Sequence, residues 1–301
     1  MKRKKKQHRE SRVAEGIGYI VFILTALAVL IPMLLLVIAS FTDNDILNRA
    51  GYSFFPEKWS LDAYKFLFTQ STSIIRSIGV SIVVTTVGTT MGLFFTMMLA
   101  YALSRDELPG RRAMMFFVVF TLLFNGGMVP TYFMYVNYLH VKNTMWGLLL
   151  PNLLVNGFNV LLMRTYFRNN VPKELLESAR IDGAGEVKSF FHIVLPISTP
   201  ILATIGMLIG VNYWNDWYNG MLYVTDPELF SMQSFLNKIM MDIQFLSQTA
   251  GTSDANSIVA NIPSGSVRMA MAFIATIPVV VIFCFVRKYF AKGLTVGSVK
   301  G

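Results

Sequence analysis

The 301-residue sequence predicts an all-α, polytopic membrane protein with six transmembrane helices and both termini in the cytoplasm. Three observations predict it. Hydrophobic residues make up 54% of the chain and charged residues only 14%, against ~25% charged in ordinary soluble domains. Six windows free of ionised side chains are each long enough to cross a hydrocarbon layer about 30 Å thick at about 1.5 Å per helical residue. Lysine and arginine gather in the connections on one side of those windows. The mean hydropathy of +0.52 excludes a soluble enzyme, a disordered chain and a coiled coil.

In chain order, residues 1–15 form a basic cytoplasmic head, MKRKKKQHRE SRVAE, and residues 16–41 the first charge-free window. That apolar run is longer than a cleavable signal's core, so it reads as an uncleaved first span. The external piece 42–73 holds Trp59-Ser60-Leu61-Asp62, the start of a short capped helix. The remaining windows are 77–104, 113–141, 143–163, 189–215 and 269–286, the last being MAMAFIATIPVVVIFCFV. With their flanks they give spans at about 16–41, 77–104, 113–137, 143–167, 193–217 and 268–288, within one transmembrane domain covering 16–290. Residues 291–301 form a cytoplasmic tail. Of the 26 Lys and Arg residues, 19 fall in the head, the loops 104–112 and 164–188, and the stretch after residue 286. The more basic side is cytoplasmic, and an even number of spans puts both termini there. The net charge of +9 is therefore a topology signal with some attraction to anionic lipid, and a nucleic-acid role is excluded.

Several chemistries are missing. The single cysteine, Cys284, rules out a disulfide framework or a multi-thiolate metal site. His8, His140 and His192 lie too far apart in sequence to suggest metal ligands. Gly183 to Ser189 resembles a phosphate loop but fails its spacing, because Val187 stands before Lys188. No nucleophile stands at a set spacing from a base. No ionised residue lies well inside a window, whereas ion-coupled carriers usually hold one at mid-depth. A membrane-embedded enzyme on lipids or glycans and an independent secondary carrier remain the alternatives to a driven transporter.

The most informative segment runs from Asn169 to Pro196. Pro172 suits a first helical turn and Asn170 a cap before it. Glu174 and Glu177 favour the positive helix end, Leu175, Leu176, Ala179 and Ile181 give an apolar side, and Gly183 offers a stop. A second short helix over 186–194 leads to Leu195-Pro196. Small residues at 178, 179, 183 and 184 let another protein's backbone approach.

Glu177-Ser178-Ala179, Asp182-Gly183-Ala184, then Phe190, Ile193, Leu195 and Pro196, resemble the EAA loop of bacterial ABC importer permeases, with Ser178 where alanine is usual. The tail Gly293-Leu294-Thr295, Gly297 and Val299-Lys300-Gly301 is similar to the carbohydrate-uptake subgroup, which includes the smaller maltose-transporter permease. Asn125 to Tyr132 and Asn159 to Phe167 resemble permeases for oligosaccharides or polysaccharide fragments. The resemblance implies a multi-pass subunit of the bacterial cytoplasmic membrane that forms half of a carbohydrate pore. Its EAA coupling helices would lie between spans four and five. The implied partners are a second homologous permease, two ATPase subunits and an extracellular solute-binding protein. No cofactor is implied on this chain, and ATP and Mg belong to the ATPases. Glu177, Ser178, Ala179, Asp182, Gly183 and Ala184 are the implied docking residues.

Two polar stripes interrupt the apolar windows. Asn152, Asn156 and Asn159 would share a helical face in span four, and Asn212, Asn215, Asp216 and Asn219 another at the outer end of span five, beside Trp214 and Trp217. Asn152, Asn156, Asn159, Asn212, Trp214 and Asn215 are candidates for a carbohydrate path, because amides bond hydroxyls and aromatic faces stack on sugar rings. The competing reading is that the asparagines hold the bundle together and the aromatics anchor span ends. The external segment 222–267 has apolar residues at helical spacing from Pro227 to Phe245, then a polar stretch, SQTAGTSDANS, expected to be mobile. The resemblance implies contact with the solute-binding protein; a helix resting on the membrane is the alternative.

Overall fold

The computed structural model describes residues 2–69, 71–151, 154–249 and 264–297. In chain order the helices are α1 (Lys2–Ser40), α2 (Asn44–Ala50), α3 (Asp62–Thr69), α4 (Ser71–Ser104), α5 (Arg111–Leu123), α6 (Met128–Phe133), α7 (Met145–Leu149), α8 (Gly157–Asn170), α9 (Lys173–Ile181), α10 (Glu186–Ser189), α11 (Leu195–Ile197), α12 (Thr199–Trp214), α13 (Tyr218–Tyr223), α14 (Met232–Thr249) and α15 (Ser264–Gly297). No strand occurs among the described residues beyond an isolated bridge between Thr42 and Trp59. Helix α14 enters the first residues of the polar stretch expected to be mobile; the rest of that stretch and the last four residues of the tail lie outside the described residues.

The chain forms two units. The first comprises Met1–Gln70 and Met240–Thr276. Here the Asp43 carboxylate caps α2, accepting the Asp45 N–H at 3.0 Å, and pairs with Lys58 at 2.5 Å. The Ser60 hydroxyl accepts the Asp62 N–H at 3.0 Å and so starts α3 where expected. The start of α15 is tied to α2, with the Gly265 N–H given to Asn44 Oδ1 at 3.0 Å.

The second unit, Ser71–Ile239 with Ile277–Gly301, packs α4 against α8 and α12. Its core includes Val84, Leu103, Val160, Met163, Phe190, Val194, Ile205 and Tyr213. Helices α4 and α12 pack against each other with glycines of each helix meeting side chains of the other: a Cβ on Gly92 would sit 3.3 Å from Ile209, and one on Gly210 3.2 Å from Thr89. A Cβ on Gly88 would sit 2.4 Å from the Tyr213 ring. The Tyr213 hydroxyl, buried at this crossing, donates to Leu149 O at 2.8 Å.

Among the described residues, three helices are continuous, long and apolar enough to cross a membrane: Glu15–Ser40, Thr72–Ser104 and Gly265–Cys284. They match the expected first, second and sixth spans. The others are broken, which corrects the expectation of six continuous helices. Span 113–137 is Arg111–Leu123 followed by Met128–Tyr138, bent by 118°. The bend falls at Asn125-Gly126-Gly127, where Asn125 Oδ1 accepts the Gly127 N–H at 2.8 Å and Gly127 takes φ +86°. Span 193–217 lies within Glu186–Ile197 and Thr199–Trp214, bent by 84° at Ser198 between Pro196 and Pro200. Span 143–167 is divided into α7 and α8, since Pro151 ends the first helical stretch and Asn156 starts the second. Counting each bent pair as one crossing gives up to five by length and composition.

Candidate functional site

The loop after α8 forms the helix pair that the sequence predicts, with one difference. Asn170 does not cap α9: it is the last residue of α8 and bonds back to Tyr166 O at 3.2 Å, while Pro172 takes the cap position. Helix α9 then ends at Gly183, φ +78°. The Ala184 N–H reaches Ala179 O at 2.8 Å and the Gly183 N–H reaches Arg180 O at 3.1 Å, the paired closure of a left-handed helix end. Helix α10 follows and widens into a π-turn over Phe190–Val194. Pro196 has no N–H for the carbonyl of His192, and the wider turn absorbs that missing bond.

Glu177, Ser178, Asp182 and Gly183 are exposed, and Ala179 and Ala184 half-buried. These six therefore come together on one accessible knuckle. The Ser178 hydroxyl donates to Glu174 O at 2.7 Å, folding onto its own helix, which explains how serine replaces alanine without adding a polar projection. The apolar side divides: Leu176 is buried under α9, whereas Ile181 is 86% exposed and Val187 and Leu175 are exposed too. Apolar side chains this bare on a loop flanked by charge mark an interaction surface.

Sequence reasoning missed the charged bed beneath the knuckle. Asp106, between α4 and α5, accepts from Lys173 at 2.8 Å and from Arg111, with Arg168 at 3.4 Å. The Lys173 and Arg111 hydrogen bonds hold the Asp106 carboxyl well below the usual carboxylate range. Glu186 accepts the Tyr101 hydroxyl at 2.7 Å and meets Arg180 at 3.1 Å and Arg105 at 3.4 Å. The Tyr101 bond, aided by the two arginines, lowers the Glu186 pKa against an opposing burial effect. Arg164 closes the end of α4, giving its Nε–H to Leu103 O at 3.0 Å. The available signal was a run of opposite charges on both sides of spans two and four; the Lys173–Asp106 and Tyr101–Glu186 pairings join residues 67 and 85 positions apart.

The polar stripes are rearranged. Asn152 lies outside the described residues. Asn156 is the cap of α8, its side chain accepting the Phe158 N–H at 2.9 Å, and Asn159 is buried in the next turn. Asn156 and Asn159 therefore do not share a helical face, because Asn156 lies in extended backbone before α8 begins. Asn219 is buried and bonds Pro151 O at 3.0 Å, a packing role. Asn212 and Asn215 are exposed at the end of α12, and Trp214 is buried. Trp214 lines a cavity of about 530 Å3 in the second unit, walled by α4, α12 and α15. Thr85, Thr86, Thr89 and Thr90 line it from α4, a polar band the sequence reading did not single out. The Thr85 and Thr89 hydroxyl oxygens are buried with no hydrogen-bond partner among the described residues.

Comparison with known proteins gives consistent matches. The family model for "binding-protein-dependent transport system inner membrane component" matches residues 92–296. The polygalacturonan/rhamnogalacturonan transport system permease protein YtcP of Bacillus subtilis is 38% identical over 293 residues, covering 97% of this chain and 100% of that protein. Protein LplC of the same organism is 38% identical over 272 residues, 90% of each chain. The arabinooligosaccharides transport system permease protein AraQ of Halalkalibacterium halodurans is 30% identical across 100% of both chains. A solved bacterial ABC transporter involved in the import of the acidic polysaccharide alginate contains a chain that superposes with a TM-score of 0.78 at 27% identity, covering 94% of this chain and 98% of that one.

Proposed function

The chain belongs to the family of binding-protein-dependent transport system inner membrane components, and from that premise we propose how it works as the permease subunit of an ATP-binding-cassette importer for carbohydrate. It sits in the bacterial plasma membrane and lends half of a pore. Two ATPase subunits, a second homologous permease and an external solute-binding protein complete the machine. The chain crosses the membrane six times, the bent pairs and the divided 143–167 segment each serving as a crossing, with both termini in the cytoplasm.

One observation carries this reading: the knuckle closed by Gly183, which presents small residues and the bare side chains of Ile181 and Val187. The knuckle enters a cleft on an ATPase subunit. Glu177 meets a basic group there, and Ser178, Ala179, Asp182, Gly183 and Ala184 permit close backbone approach. Closure of the ATPase pair around ATP moves the knuckle and switches the pore between outward-open and inward-open forms. The chain needs that drive, since its apolar windows hold no ionised side chain with which to couple an ion gradient.

The solute is an oligosaccharide, the class named for several of its relatives. The Thr85–Thr90 band and Trp214 form part of its path.

The test is reconstitution of the chain with its partner subunits. A sugar-loaded binding protein stimulates ATP hydrolysis in the complex, and Glu177→Lys abolishes uptake while the chain still inserts into the membrane. Wild-type uptake by that variant would sink the docking role.

A further inference from the structure

If the knuckle is where ATPase motion enters, something must carry that motion to the pore wall. This question rests on the function proposed above. Helix α4 supplies most of the polar lining of the cavity, and its last turn lies beside the knuckle. Tyr101 stands in that turn. Its ring is packed among Phe190, at 4.9 Å between centroids, and Phe167, at 6.4 Å. A phenylalanine would fill the same socket equally well. What tyrosine adds is one hydroxyl, and that hydroxyl is donated to Glu186 Oε2 at 2.7 Å.

The other carboxylate oxygen, Oε1, takes Arg180 of α9 at 3.1 Å and Arg105, just past α4, at 3.4 Å. A single carboxylate thus bonds α9, α10, the end of α4 and the loop that follows it. Charge-assisted bonds of this kind are shorter and stronger than neutral ones, and they resist small displacements. Glu186 itself stands at the first turn of α10, where the positive helix end favours it. None of the six docking residues takes part, so gripping the knuckle and passing on its movement are separate tasks.

We infer that Glu186 and Tyr101 form the joint that delivers movement of α9 and α10 to α4, acting as positioning residues for transport and not as docking or solute-binding groups. Their removal should leave ATP hydrolysis running while the pore wall no longer responds.

The experiment uses the whole transporter in lipid vesicles, on a Cys284→Ser background with Thr86→Cys as a reporter thiol in the cavity wall. The labelling rate of that thiol by a maleimide is compared without nucleotide and with Mg-ATP plus vanadate. In the parent the two rates differ at least about fivefold, the low end of ordinary site-to-site coupling. Tyr101→Phe and Glu186→Ala reduce the difference below about twofold while hydrolysis continues, a loss of most of that coupling. Glu186→Gln, which still accepts from Tyr101 but loses its charge, falls between. A parental difference in Tyr101→Phe overturns the inference, and so does a parallel fall of hydrolysis and labelling response, the mark of a purely structural role. A parent complex with no nucleotide response overturns the transporter reading itself, so the two failures are told apart.

Discussion

Gly183 shows how one backbone angle shapes the knuckle between α9 and α10. Its φ of +78° is in the left-handed region, and a Cβ there would meet nothing within 4 Å, so the demand is conformational and not spatial. Gly183→Ala should destabilise the turn by about 1–2 kcal/mol, the cost of left-handed backbone for an L-residue. Thermal unfolding of the complex measures this, and a midpoint unchanged by the substitution would contradict it. Gly183→Asp adds a projecting charge to the same strain and abolishes uptake. Asp106 gives a pH prediction. Its carboxyl is depressed by Lys173 and Arg111, so its contribution to stability is present at neutral pH and above the ordinary aspartate value of about 3.9. That contribution disappears only as pH falls through the lower, folded-state pKa. The stability gap between the native chain and Asp106→Asn should therefore hold from pH 8 to about 5 and shrink only in stronger acid. A gap that closes near neutrality would refute the assignment.

At the scale of elements, the crossing of α4 and α12 depends on missing side chains. Gly88→Leu puts a branched group where the Tyr213 ring already lies within 2.4 Å. Overpacking of this kind costs about 1–3 kcal/mol, and the expected result is a lower yield of assembled complex, read by size-exclusion chromatography. Breaking the Asn156 cap has a local price of about 1 kcal/mol, so Asn156→Ala should fray α8 by hydrogen exchange while the rest of the second unit stays protected. The coupling segment was legible from sequence because its signals are local: Pro172 marks a start, Gly183 a stop, and the alternation of small and apolar residues fills the space between. The crossings were legible as apolar windows but not as helices. Hydrophobicity reports what a segment can bury, and an Asn-Gly-Gly turn or a proline within it bends the backbone without changing that sum. Asn156 and Asn159 lost their shared face in the same way, since a helical period was assumed through Asn156, where the backbone is extended. The bond from Tyr101 to Glu186 spans 85 positions, and no periodicity encodes it.

At the scale of the molecule, the prediction is dependence. Vesicles holding this chain alone should take up no sugar above background, and adding the ATPase subunits, the second permease and a loaded binding protein should restore uptake. Flux from the lone chain would refute the reading. Kinship with carbohydrate permeases was visible in residues 177–196 and the tail because those are particular residue types at fixed spacing, whereas the apolar windows are patterned only by hydrophobicity. The cavity was not visible, since the threonine band lies on α4 alone and the other walls come from α12 and α15. Helix α4 has one more property that follows from its length. Its 34 residues extend about 51 Å at about 1.5 Å each, against about 30 Å of hydrocarbon, so it projects well beyond the bilayer. A rigid rod of that length works as a lever: pivoting by about 5° at the tyrosine end sweeps its far tip through an arc of about 4 Å, more than the width of a water molecule.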